Sequence, residues 1–244
     1  MTLTLNRLNP KHNKAYRYAT VCSSNINRSI SSHLLLMNEH MDVRSFGTGR
    51  EVRLPGRTAF EPKTFQFGVA YEEMWESLTE DASLYGSTTS QIEGVIELAK
   101  RARGVKYGPE RWQSLRTKEQ CAFDVVVAFE ERIFDHVVED LSSRDPTGEG
   151  RLVVVCIDTK DNPEEGRKAG LVALKMCLLL EELAALDGKE REAARSARGG
   201  AADDDDEDEV DMLIERIGEV VDVVSRERER EGSGVKCLFQ VCFL

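Results

Sequence analysis

The stretch from Tyr16 to Glu39 narrows the choice of fold more than any other part of the chain. An apolar run with β-branched residues, Tyr16 to Val21, meets a helix-like run, Ser29 to Glu39. Between and across them, Cys22 to Ser29 reads Cys-Ser-Ser-Asn-Ile-Asn-Arg-Ser. Strand, tight loop and helix N-terminus in that order form an anion site, because loop N–H groups and the positive helix end converge on one point. Arg28 can grip two oxygens of such an anion. The same positive field favours the thiolate of Cys22, which is the nucleophilic form of cysteine. On the following helix, Ile30, His33, Leu34, Leu35 and Met37 offer an apolar side. His33 reads as a core or supporting residue rather than a ligand.

The remaining pattern alternates strands and helices. Asp42 to Phe46 predicts a second strand beside the first, broken by Gly47-Thr48-Gly49. Val52 to Gly56, with Pro55, predicts a kinked loop at the same carboxyl edge as Cys22. Helical spacing over Tyr71 to Leu78 and Gln91 to Ala102, with a loop at Tyr85 to Thr89, predicts a helical excursion over that edge. Phe123 to Phe129 and Arg151 to Ile157 are near-continuous apolar runs, as in buried central strands. Glu130 to Leu141 predicts a one-faced helix between them. Pro163 can open a long helix to about Leu186. Residues 187–209 are low-complexity and read as a disordered insertion or a helix extension. Val210 to Val224 resumes helical periodicity, and Val235 to Leu244 reads as a last strand. The expected fold is therefore α/β: three layers, a mostly parallel central sheet with helices on both faces, plus a small helical excursion near the site. The expected organisation is a disordered extension over 1–14 and a single domain over 15–244.

Charge and cysteine usage then exclude classes. The net charge of −11 argues against nucleic-acid binding through a basic face, although much of the excess sits in Asp203 to Glu209. Cys22, Cys121, Cys156, Cys177, Cys237 and Cys242 form no CxxC pair and mostly lie in apolar runs, so no zinc site and no other metal or cofactor is expected. Met1 to Ala15 lacks the apolar core of a secretory leader, and no apolar run is long enough to cross a membrane. Free thiols in a reducing cytosol or nucleus are the expectation.

Phosphoryl transfer through cysteine needs a thiolate in line with phosphorus, donors for the equatorial oxygens, and an acid for the leaving oxygen. Cys22 offers the first. Arg28 and the N–H groups of Ser23, Ser24, Asn25, Ile26 and Asn27 offer the second. Asp158 and Asp161, at the carboxyl end of the Arg151 to Ile157 run, are both candidates for the third. Ser29 can hydrogen-bond the thiolate and help it leave.

Several ordered stretches resemble one family. They are Val21 to Ser29, Val43 to Gly49, Val52 to Gly56, Pro109 to Trp112, Phe123 to Val125, Glu130 to Asp135, Val137 to Leu141, Asp158 to Asn162 and Val241 to Leu244. The chain is similar to the RNA polymerase II C-terminal-domain phosphatases of the cleavage and polyadenylation machinery (the Ssu family), whose fold is related to low-molecular-weight protein tyrosine phosphatases. The resemblance implies Cys22 as nucleophile, Arg28 as phosphate-binding residue, Ser29 as the hydroxyl beside the thiolate, Asp161 as general acid and Asp158 as a supporting carboxylate. It implies a substrate groove at Arg53, Leu54, Pro55 and Tyr85, with the stretch from Ile92 to Lys106 matching weakly. The implied substrate is phosphoserine at heptad positions five and seven of the phosphorylated polymerase C-terminal domain, with serine-proline in cis. The implied partners are a symplekin-like scaffold and a prolyl isomerase that supplies the cis form, with no direct nucleic acid and no membrane. The implied setting is the nucleus, in transcription termination and mRNA 3′-end processing. Competing readings are a low-molecular-weight tyrosine phosphatase, an arsenate-reductase-like enzyme, which needs a second cysteine in reach of Cys22, and a noncatalytic phosphopeptide-binding module.

Overall fold

A computed structural model describes residues 14–58, 61–84, 90–120, 122–144, 151–198, 206–230 and 237–243. In chain order, β1 (Arg17–Cys22) leads to α1 (Arg28–Asn38), followed by β2 (Asp42–Gly47), β3 (Val52–Thr58) and β4 (Glu61–Phe65). Next come α2 (Tyr71–Leu84), α3 (Ser90–Arg103), the short α4 (Thr117–Gln120), β5 (Val125–Ala128) and α5 (Glu131–Ser142). The chain continues through β6 (Arg151–Ile157), α6 (Pro163–Arg198), α7 (Asp206–Arg230) and β7 (Cys237–Phe243).

The central sheet runs β2-β1-β5-β6-β7. β1 is parallel to β2 and β5, β5 is parallel to β6, and only β7 is antiparallel, on β6. Both faces of the sheet are buried, which is why the inner strands read as unbroken apolar runs. On one face Val125, Val127, Val153, Val155 and Ile157 pack with Ala173, Met176 and Leu180 of α6 and with Leu213, Ile217 and Val221 of α7. On the other, Val126, Ala128, Leu152 and Val154 pack with Ile133, Val137 and Leu141 of α5. Successive residues of a strand point to opposite faces, so one sequence supplies two cores. This is the expected three-layer α/β architecture.

A third cluster joins the excursion to the site. Tyr71, Met74 and Leu78 of α2 and Val95, Leu98, Ala99 and Ala102 of α3 pack with Ile26 and Ile30, the first in the loop after β1 and the second in α1. The helices therefore brace that loop directly. Val52 to Gly56 corrects the expectation of a loop: it belongs to β3, paired antiparallel with β4. Pro55 lies where the register shifts between Leu54 and Thr58, a place where a residue without an N–H costs no ladder bond. The long sixth helix also runs past Leu186 to Arg198, because its alanine- and charge-rich continuation has high intrinsic helix propensity.

Candidate active site

Cys22 ends β1, the inner strand between β2 and β5, and α1 begins six residues later at Arg28. Both parallel neighbours end at the same edge, so the loop over 23–27 sits where ligands bind in open α/β sheets. Its backbone is tied from several sides. Thr48 N–H donates to Cys22 O and Gly49 N–H to Ser23 O, each at 3.0 Å. A Cβ on Gly47 would stand 2.6 Å from Ser23 O, so only glycine lets β2 end this close to the loop.

Asn25 has φ 53, a left-handed conformation that asparagine tolerates better than most residues. Three contacts hold it there. Tyr71 Oη donates to Asn25 O. Glu110 N–H donates to Asn25 Oδ1 at 3.0 Å, and Asn25 Nδ2 donates to Ser29 Oγ at 3.0 Å. Ser29 Oγ lies 3.0 Å from Cys22 Sγ. With one Ser29 lone pair taken by Asn25, the Ser29 hydroxyl hydrogen is directed to the sulfur when the sulfur is a thiolate. Burial first, then Cys22 and Glu110, pushes the Tyr71 hydroxyl well above its ordinary range, so it remains a donor. Arg101, from α3, donates to Asn27 O at 3.2 Å.

Arg28 is 0% exposed, although it carries a charge. Its Nη1 donates to Glu130 Oε2 at 2.9 Å and to Thr159 O at 2.7 Å, and its Nη2 donates to Asp161 Oδ2 at 3.1 Å. Desolvation works against the guanidinium charge, but Cys22, Asp161 and Glu130 outweigh it, so the proton is held more firmly than usual. For Glu130, burial opposes the charge, but the hydrogen bond and charge of Arg28, joined by Arg132, hold the carboxyl below its usual range. Asp161 is also bound by Asn27 Nδ2 at 3.0 Å.

The structure therefore brings Cys22, Arg28, Ser29 and Asp161 together with all five loop residues. It separates Asp158, which is exposed and makes none of the contacts to Arg28. Glu130 stands in the position of second carboxylate. Sequence reasoning missed it as a site residue; the available signal was its place at the carboxyl end of β5, the strand beside β1. Leu54 is buried with Tyr71 and Met74, so it is a core residue rather than a groove wall. Arg53 and Pro55 are exposed on the alternate side of β3, and Arg53 N–H donates to Ser24 Oγ at 3.2 Å. Tyr85 lies outside the described residues. His33 is buried, with Nδ1 2.8 Å from Ser45 Oγ.

Cys156 does not approach Cys22. In register it lies beside Ala128, which lies beside Val21, so two strand spacings intervene. That is about 10 Å, beyond the roughly 7 Å Cα limit for a disulfide. Burial first, then Asp158, also pushes the Cys156 thiol up to about 12. Among the described residues, no other cysteine offers the second thiol of a redox site beside Cys22: Cys177 and Cys242 belong to the cores on the two faces of the sheet, and Cys237 starts β7, the edge strand three strands from β1.

The chain has similar counterparts among known proteins. A family model described as Ssu72-like protein matches residues 16–243. The RNA polymerase II C-terminal domain phosphatase SSU72 of Danio rerio is 37% identical over 166 residues, 68% of this chain and 81% of that protein. The Schizosaccharomyces pombe protein of the same name is 35% identical over 174 residues, 71% of this chain and 83% of that protein. A solved structure of D. melanogaster Ssu72 with Symplekin, bound to a cis peptidomimetic of the C-terminal domain phosphorylated on the fifth-position serine, aligns with a TM-score of 0.71 at 26% identity, covering 95% of this chain and 100% of that one.

Proposed function

The chain belongs to the Ssu72-like protein family, and on that premise we propose that it removes phosphate from phosphoserine of the RNA polymerase II C-terminal domain through a cysteinyl-phosphate. The observation that carries the reading is one loop that sets the Cys22 thiol 3.0 Å from a hydroxyl and starts its helix with a fully buried arginine.

In the first step the Cys22 thiolate attacks phosphorus. An S–P bond forms and the P–O bond to serine breaks. The equatorial oxygens are held by loop N–H groups and the Arg28 guanidinium, which act where charge gathers in the transition state. Asp161 gives its proton to the departing serine oxygen. In the second step Asp161, now a carboxylate, takes a proton from water as the water oxygen bonds phosphorus. The S–P bond breaks, and the Ser29 hydroxyl stabilises the returning thiolate. Ser23, Ser24 and Ile26 serve through their backbone, and the side chains of Asn25 and Asn27 hold the loop in shape.

The substrate we propose is phosphoserine at heptad positions five and seven with serine-proline in cis. The cis mimic of the fifth-position phosphoserine on the Drosophila relative supports this reading. Arg53 and Pro55 on β3, with Tyr85, are the proposed groove. Symplekin in the same Drosophila complex supports a symplekin-like scaffold as partner. A prolyl isomerase would replenish the cis substrate, since uncatalysed isomerisation takes tens to hundreds of seconds. Action on the polymerase tail in 3′-end processing places the proposed site of work in the nucleus.

The test is phosphate release from heptad peptides phosphorylated at one serine. Cys22→Ser is expected to abolish turnover while the thermal transition is kept. Measurable turnover by that variant would overturn the proposal.

A further inference from the structure

Two carboxylates hold Arg28, and they hold different edges of it. The guanidinium offers its Nε–Nη2 edge as two parallel N–H bonds, a fork that matches two oxygens of one phosphate. In this structure the buried Nε has no partner among the described residues, and Nη2 is held by Asp161 Oδ2. Nη1 lies at the other end, held by Glu130 Oε2 at 2.9 Å and by Thr159 O at 2.7 Å. Asp161 thus covers half of the edge a phosphate needs, while Glu130 covers none of it.

The two groups also differ in how firmly they are fixed. Glu130 sits at φ 96, a left-handed backbone that a non-glycine residue keeps only where its surroundings impose it. Its N–H donates to Ile157 O on β6, and its second oxygen receives Arg132 Nε at 3.1 Å. Backbone, Oε1 and Oε2 are all engaged. Asp161 lies in the turn before α6 with 49% of its side chain exposed, held by Arg28 and by the Asn27 amide.

Resting on the phosphatase reading above, we propose that Glu130 is the positioning residue of Arg28, fixing Nη1 throughout the reaction, while Asp161 only occupies Nη2 until phosphate takes its place. The displaced Asp161 stays tethered through Asn27 Nδ2 at the rim of the loop. Phosphate binding thus frees Asp161 from Arg28, and the arginine does not turn because Glu130 and the Thr159 carbonyl keep its far end in place.

The experiment compares Glu130→Gln, Glu130→Asp and Asp161→Asn on two substrates. One is a phosphoserine heptad peptide; the other is an aryl phosphate whose phenolate leaves without a proton. The two Glu130 variants are expected to lower kcat/KM on both substrates alike, by roughly 10- to 100-fold, as loss of an outer partner does at other charged sites. Asp161→Asn is expected to lower kcat/KM on the serine peptide far more than kcat/KM on the aryl phosphate, because that ratio reports only formation of the cysteinyl-phosphate, while the kcat of both falls with the slowed hydrolysis step. In an Arg28→Lys background, where no fork remains to be aimed, Glu130→Gln should add less than about twofold. Inorganic tungstate binding by calorimetry gives a readout without turnover, and Glu130→Gln should weaken it by a similar factor. Unchanged tungstate affinity, a loss confined to the serine peptide, or a full additive loss in the Arg28→Lys background would each overturn the assignment. If wild-type protein binds tungstate in a Glu130-dependent way but releases no phosphate, the phosphatase reading fails and the positioning role stands.

Discussion

Replacing Ser29 with alanine separates the two chemical steps. The structure places Ser29 Oγ 3.0 Å from Cys22 Sγ, with Asn25 Nδ2 donating to the same oxygen. That arrangement sends the hydroxyl hydrogen to sulfur whenever sulfur carries charge. A hydrogen bond to a charged group contributes about 1.5–3 kcal/mol. At about 1.4 kcal/mol per tenfold in rate, its loss should slow departure of the Cys22 thiolate roughly ten- to hundredfold. Formation of the cysteinyl-phosphate, in which the thiolate is consumed, should be affected much less. Rapid-quench kinetics with a phosphoserine peptide should then show a burst of dephosphorylated peptide close to one per enzyme, followed by slow phosphate release. Mass spectrometry of the quenched protein should find phosphate on Cys22. The same change leaves one buried Asn25 N–H without its acceptor, at a cost of about 1–3 kcal/mol, or several degrees of melting temperature. Equal slowing of both steps with no burst would refute the argument, because it would mean that the hydroxyl shapes the loop and does not serve the thiolate.

Asp161→Asn is expected to slow the phosphoserine peptide far more than Asp158→Asn does, since only Asp161 contacts Arg28 and Asn27; the reverse order in steady-state assays would reassign the acid. Trp112→Ala should destabilise the fold by about 3–5 kcal/mol in denaturant titrations, because the ring is fully buried against Phe46 and Phe123. His33 links stability to pH. Burial first, then Lys106 and Arg44, lowers its pKa from 6.5 to about 4. A lowered folded-state value means that the unfolded chain binds the proton first. The stability contribution is therefore present above pH 6.5 and lost as pH falls towards 4, in total about 3 kcal/mol. His33→Gln should flatten the stability profile across that window.

Local pattern carried much of the architecture. Consecutive apolar residues such as Val125 to Ala128 and Leu152 to Ile157 have no polar face, so their strands had to be inner strands with helices on both sides. The Cys22 to Ser29 loop is equally local. The residues that meet there are neighbours in sequence, and strand, loop and helix start leave little freedom for where Cys22 and Arg28 stand. The strand β3 was harder to read, since Pro55 and Gly56 signal a loop and only pairing with β4 makes Val52 to Thr58 extended.

What no local pattern contains is how a charge in one segment meets a charge in another. Asp158 and Asp161 are chemically equal candidates at a strand end, and packing alone puts one against Arg28 and leaves the other in solvent. Glu130, 102 positions from Arg28, reaches its Nη1 because β5 lies beside β1 and both end at one edge. The Tyr71 hydroxyl on Asn25 and the burial of Leu54 arise the same way, from α2 folding back over the loop. Secondary structure follows from periods a few residues long. The environment of a buried arginine depends on which strand ends are side by side, and that is a property of the folded sheet.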